Sequence, residues 1–129
     1  MTNTVPAMGP TELANLLAEM NAKGCFPISV ITDSQGLTIA SAADSEEDPN
    51  TQSAVVALIQ KTATQAGDQI GLAQTAEIIL NDQQGRRLIC RPFQAGDQDM
   101  ILTVIVPQRQ QTYRRLTNQV VHAVQRQWK

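Results

Sequence analysis

Few residues in this 129-residue chain have the types and spacing that catalysis would need. Cys90 could serve as a nucleophile only with an imidazole to take its proton, and His122 is the one histidine. Cys90 lies inside a strand-like run, which favours a buried structural thiol. His122 sits among cations, with no carboxylate or second histidine three or four residues away to orient it, and reads as a surface histidine. Cys25 is the other cysteine, and neither has a partner at metal-ligand spacing. Asp44, Glu46, Glu47 and Asp48 form the densest carboxylate group. They precede a helical pattern, where each negative charge is favourable by about 0.3–1 kcal/mol, so a cap explains them before a metal site does. Asp48-Pro49 in particular reads as an N-cap followed by a proline at the first helical position. The glycines are single turn residues, and no phosphate loop ending in Gly-Lys-Ser/Thr is present. No catalytic, cofactor-binding or metal-binding residue is assigned, and the chain reads as a non-enzyme.

Composition narrows the remaining classes. A formal net charge of −2 and a total of four aromatic residues, Phe26, Phe93, Tyr113 and Trp128, argue against a nucleic-acid binder, which needs clustered cations or stacking platforms. No stretch has the length or apolarity of a membrane span and no secretion signal is legible, so a cytoplasmic location and two reduced thiols are expected. Charge is segregated: acids dominate the first half of the chain and arginines the second. Arg86 and Arg87 are candidate partner-binding residues, against the plainer reading that they protect a hairpin edge from stray pairing.

Residues 1–9 read as a flexible arm and residues 10–129 as a single domain. Pro10-Thr11 opens a helix with Leu13, Leu16, Leu17 and Met20 on one face, closed by Lys23 and a C′ glycine, Gly24. Strands at 28–32 and 37–42 flank the turn Asp33-Ser34-Gln35-Gly36. Three more, at 77–81, 86–93 and 100–106, are joined at hairpin length by Asp82-Gln83-Gln84-Gly85 and by Ala95 to Asp99, and so form a meander. The last of these, Met100 to Val106, is apolar without alternation save for Thr103, the pattern of a strand covered on both faces. A final helix over 108–128 carries Tyr113, Leu116, Thr117, Val120, Val121, Val124 and Trp128 on one stripe.

The second helix, 49–69, has more apolar surface than one sheet face needs. Ala54, Val55, Val56, Leu58, Ile59, Ala63 and Ala66 sweep an arc of roughly 200°, about twice the width required. Either this helix is sunk deeper in the monomer than a surface helix, or the surplus, placed in the first three turns, meets a second protein surface, the reading that three helices and one sheet favour.

This order of elements resembles the roadblock family, which includes roadblock-type dynein light chains and bacterial polarity regulators acting on a Ras-like GTPase. The residues that carry the resemblance are Thr32-Asp33-Ser34-Gln35-Gly36-Leu37-Thr38-Ile39-Ala40-Ser41, the Ala/Val/Leu-rich second helix, Gly85 with Arg91-Pro92-Phe93, and Met100–Val106. The resemblance spans Thr11 to Trp128. It implies a three-layer α/β (α+β) domain, profilin-like, with a five-stranded, mostly antiparallel sheet ordered 2-1-5-4-3. Two helices would lie on one face and the second helix on the other. It also implies a homodimer in which the third strands pair and the second helices pack together. The interface would then use Val55, Val56, Leu58, Ile59 and Ala63 with Glu77, Ile78, Ile79, Leu80 and Asn81. A Ras-like small GTPase is the implied partner. A small-molecule-sensing domain and a purely structural dimerisation module stay open beside it.

Overall fold

The computed structural model describes residues 8–44 and 46–128. Its elements run Pro10–Gly24 (α1), Ile28–Asp33 (β1), Thr38–Ala43 (β2), Pro49–Ile70 (α2), Ile78–Asn81 (β3), Arg87–Ala95 (β4), Gln98–Val106 (β5) and Arg114–Gln127 (α3). The sheet order is β2-β1-β5-β4-β3, and all four pairings are antiparallel. β5 lies at the centre, with Val104 opposite both Ser29 of β1 and Ile89 of β4. Its side chains alternate between two clusters: Met100, Leu102, Val104 and Val106 pack with α1 and α3, while Ile101 and Ile105 pack with Val56 of α2. The unalternating apolar run is therefore covered on both faces, and among the described residues no helix is long and apolar enough to cross a membrane.

The turns explain the strand ends. In the β1–β2 hairpin one Asp33 carboxylate oxygen accepts from the amides of Gln35 (2.8 Å) and Leu37 (3.0 Å). Asp82 repeats this with Gln84 and Arg86, both at 2.9 Å, so the two Asp-x-x-Gly turns share one chemistry. Gly36 has φ +88°, and a Cβ there would also collide with Ala57 of α2, so this turn is seated directly against that helix. The β4–β5 connection is tighter than the pattern suggests: the strands run to Ala95 and from Gln98, leaving a two-residue Gly96-Asp97 turn of the Gly-Asp kind that suits hairpin twist.

Two helix ends differ from expectation. α1 closes through Cys25, which takes the left-handed conformation (φ 59°), while Gly24 remains helical. Glycine is needed at 24 because a Cβ would strike the Phe26 ring. α3 begins at Arg114, not Gln108, because 108–113 is held as a loop. Arg87 donates to the carbonyls of Gln108 and Gln111, and the Gln111 side chain donates to the carbonyls of Gly24 and Cys25 and accepts from the Gln108 amide. Residues 1–7 of the expected arm lie outside the described residues. Met8 and Gly9 are held: the Met8 amide donates to Gln127 O (3.1 Å) and its side chain packs on the core.

Candidate interaction surface

The residues that might have formed a catalytic pair are separated by the sheet. Cys90 is buried in the α2-side cluster, and burial pushes its thiol pKa up, against a smaller opposing effect of the Thr103 hydroxyl. His122 is exposed on α3, on the other side of the sheet. Asp48 performs the capping role expected of it. Its carboxylate accepts from the Asn50 amide (3.0 Å) and the Thr51 hydroxyl (2.9 Å), and these bonds, the hydroxyl's foremost, lower its pKa.

What the fold leaves open is apolar. α2 turns Ser53, Val56, Gln60, Ala63 and Gly67, spaced i, i+3, i+7, i+10 and i+14, toward the sheet, and the Ser53 hydroxyl hydrogen-bonds that of Thr38 at 2.6 Å. The buried stripe is thus partly polar and lies to one side of the apolar arc. Val55 and Leu58 remain 43% and 66% exposed on the free flank, beside the exposed Thr62 and Ala66. Val56, wholly buried under the chain's own sheet, has no surface to give a partner and leaves the expected interface set. The free apolar surface is not confined to the first three turns either, since Ile70 and Leu72 are also exposed.

β3 is the sheet edge beside this flank. Ile59 of α2 and Ile78 of β3 pack on one cluster, Val56, Leu88, Cys90 and Ile101, so the flank and the edge adjoin. Along β3, Ile79 and Leu80 are 49% and 59% exposed and Asn81 is exposed, and among the described residues no strand pairs with the outer side. An edge with free amides and carbonyls, exposed isoleucine and leucine and no guarding charge within 78–81 is a template for another strand.

Glu77 stands just before β3, not within it, and ties that edge to α3. Its carboxylate accepts from Tyr113 Oη (2.8 Å) and from both terminal nitrogens of Arg114 (3.3 Å each), and Arg91 Nε lies 3.6 Å away. Arg91 continues to Thr117 Oγ1 at 2.8 Å. Burial, then the Glu77 hydrogen bond and charge, raise the Tyr113 pKa against opposing effects of Arg114 and Arg87, whose guanidinium carbons stand 5.5 and 5.6 Å from the ring centroid. Of the two candidate arginines, Arg87 is committed to this internal network through the 108–111 loop, and only Arg86 is exposed. The sequence reading missed the tyrosine–glutamate hub. Its only signal was a carboxylate standing alone ahead of a strand in an arginine-rich half.

An antiparallel sheet ordered β2-β1-β5-β4-β3, with α1 and α3 on one face and α2 on the other, is the roadblock fold. Among solved structures, the chain is similar to MglB of Myxococcus xanthus, at TM-score 0.75 and 14% identity over 90% of this chain and 94% of that one. A structure described as MglB with tetrameric arrangement gives TM-score 0.73 at 13% identity, covering 98% and 96%. The Roadblock/LC7 domain from Streptomyces avermitilis gives 0.72 at 14%, covering 88% and 94%. No protein-family model matches the chain, and no curated protein sequence does so either. At these identities the likeness establishes the fold.

Proposed function

We propose that the chain is a non-enzymatic, homodimeric regulatory module that binds a Ras-like small GTPase. The observation that carries the dimer is the unpaired β3 edge adjoining the free α2 flank. A two-fold axis through β3 would pair the strands antiparallel and bring the flanks of α2 together, an isologous contact. Covering Val55, Leu58, Ile79 and Leu80 returns on the order of 1 kcal/mol per half-exposed side chain. Over two protomers that only about matches the roughly 4–15 kcal/mol cost of association, so strand pairing must supply register and surplus. Assembly of the similar MglB into a tetrameric arrangement supports self-association on this fold. The test is sedimentation of a Leu58→Glu/Leu80→Glu variant. Both side chains are exposed, so the fold should persist while the dimer is lost; a folded variant that stayed dimeric would overturn the interface.

Support for the GTPase rests on the fold likeness to MglB and on the resemblance drawn from the sequence. With no catalytic group assigned, the module would act by positioning the GTPase's own groups, since preorganisation alone can lower a barrier by several kcal/mol. Of the two candidate arginines, Arg86 is the exposed one, and it is the side chain this reading would offer to a bound nucleotide. Purified Ras-like GTPases from the source cell, loaded with GDP or a non-hydrolysable GTP analogue, should bind the dimer with a nucleotide preference. Hydrolysis unchanged by Arg86→Ala would eliminate an arginine finger, and no binding by any of them would leave a structural dimerisation module.

A further inference from the structure

On the opposite side of the sheet, α1 and α3 do not close against each other at one end. Lys23 from the last turn of α1, Thr112 and Tyr113 from the end of the loop before α3, and Arg115, Leu116 and Gln119 from the first turns of α3 line a cleft of about 400 Å³. It adjoins a recess of about 60 Å³ that shares Lys23, Leu116 and Gln119 and adds Leu16, Met20 and Val120, together with Glu19. The walls are held from behind: Gln111 ties the loop before α3 to the end of α1, and Arg87 ties it to β4. The cleft is therefore formed before any ligand arrives, which lowers the entropy lost on binding.

Its charge is only partly offset, by Glu19 at the recess one helical turn before Lys23. Among the described residues no carboxylate lines the larger cleft, and neither Lys23 nor Arg115 has a carboxylate within ion-pair reach. Arg115 occupies the first turn of α3, which has no acidic residue and no side-chain cap, and unlike Arg114 it has no ion pair in return among the described residues. A cation there opposes the positive end of the helix, so its placement works against helix stability. A local rule broken without a stabilising return is the mark of a surface shaped by another demand.

We infer that this cleft binds an acidic peptide segment of a partner protein, its carboxylates on Lys23 and Arg115 and an apolar side chain in the recess beside Leu16 and Met20. Charge complementarity selects an acidic ligand. The adjoining apolar recess selects a peptide over a free anion, because exposed cations hold a small hydrated ion weakly and the recess would add nothing to it. This inference does not depend on the dimer or the GTPase, because the cleft lies on the face opposite α2.

The probe is a fluorescein-labelled peptide, Asp-Glu-Leu-Leu-Asp-Glu-Leu, followed by fluorescence anisotropy on the full chain. Saturable binding is expected, weakening as salt is added. Lys23→Glu/Arg115→Glu should weaken it by about tenfold or more, Lys23→Arg/Arg115→Lys should retain it, and Leu80→Glu should leave it unchanged. A peptide with serine for every leucine should bind about tenfold more weakly. The inference is overturned by absence of saturable binding, by indifference to the charge reversal, by equal binding of the serine peptide, or by inorganic pyrophosphate displacing the probe at the probe's own binding concentration, which would define a small-anion site.

Discussion

The two faces of the sheet are built to different depths. Under α1 and α3 lies a continuous core that includes Leu13, Leu17, Ile31, Leu102, Val104 and Val124, none with any solvent exposure. Under α2 the buried apolar side chains are Ile28 and Val30 of β1 with Val56, Leu88, Cys90 and Ile101, and the 22-residue helix itself buries only Ser53 and Val56. Buried polar atoms without a hydrogen-bond partner among the described residues occur on both sides, at Thr32, Gln52, Gln60 and Thr103 under α2 and at Asn21 and Ser29 under α1 and α3, so polar satisfaction does not separate the faces. One face completes the monomer. The other has apolar surface left over, as expected of a layer finished by a second surface.

The strongest way to break this comparison is to weaken both faces equally and compare the losses. Leu102→Ala should cost about 2–5 kcal/mol in urea unfolding, because a fully enclosed leucine leaves a cavity. Leu58→Ala, measured in a Leu80→Glu background, should change stability by less than about 0.5 kcal/mol. Equal losses would show that α2 is as deeply seated as α1 and α3.

A smaller effect tests the tie between the faces at the sheet edge. Glu77→Ala strands the part-buried Tyr113 hydroxyl and Arg91 guanidinium, and should cost roughly 1–3 kcal/mol. Tyr113→Phe removes one bond and should cost about 0.5–1.5 kcal/mol. Arg114→Ala should lie below both, since its side chain is 64% exposed and solvent screens the pair. If Arg114→Ala were the worst of the three, the hub would be a surface ion pair and not a buried anchor for β3.

Legibility in the sequence follows the same division. The thick face is written in period: Leu13, Leu17 and Met20 on α1, Val120, Val121 and Val124 on α3, and the unbroken β5 run each name their side of the core. So are the turns, because Asp33 and Asp82 act within four residues of themselves. The α2 layer could be read only halfway. Its surplus is visible, but its sheet-facing stripe uses Ser53, Gln60 and Gly67, which hydrophobicity does not mark, so the pattern does not separate the buried Val56 from the free flank. The late start of α3 and the Glu77–Tyr113 bond depend on partners 21 to 87 residues away, and no local pattern encodes such distances.

The entry to the thin layer carries a pH-dependent contribution. Asp48 caps α2 with a lowered pKa, so its stabilising effect is complete above the ordinary carboxyl value of 3.8 and fades as pH falls through the lower folded-state value. The melting-temperature gap between the native chain and Asp48→Ala should therefore be full at neutral pH and close in strong acid. A gap unchanged in strong acid would mean that the ionised cap contributes nothing.

The last prediction needs no change in sequence. Cys25 is exposed, and Cys90 is sealed beneath Val56 with its pKa pushed up by burial, which lowers both access and the thiolate fraction that reacts. Iodoacetamide at mildly alkaline pH should add one group to the folded chain, at Cys25, and the second only as Cys90 is uncovered. If the α2 layer is the thin one, it lifts before the core melts, and Cys90 is labelled through openings that cost less than global unfolding. Val56→Ala should then accelerate Cys90 labelling by more than its loss of global stability accounts for, while Leu102→Ala should accelerate it only in step with global unfolding. Cys90 labelled in both variants strictly at the cost of global unfolding would mean that the two faces open together, and the difference in their depth would carry no difference in motion.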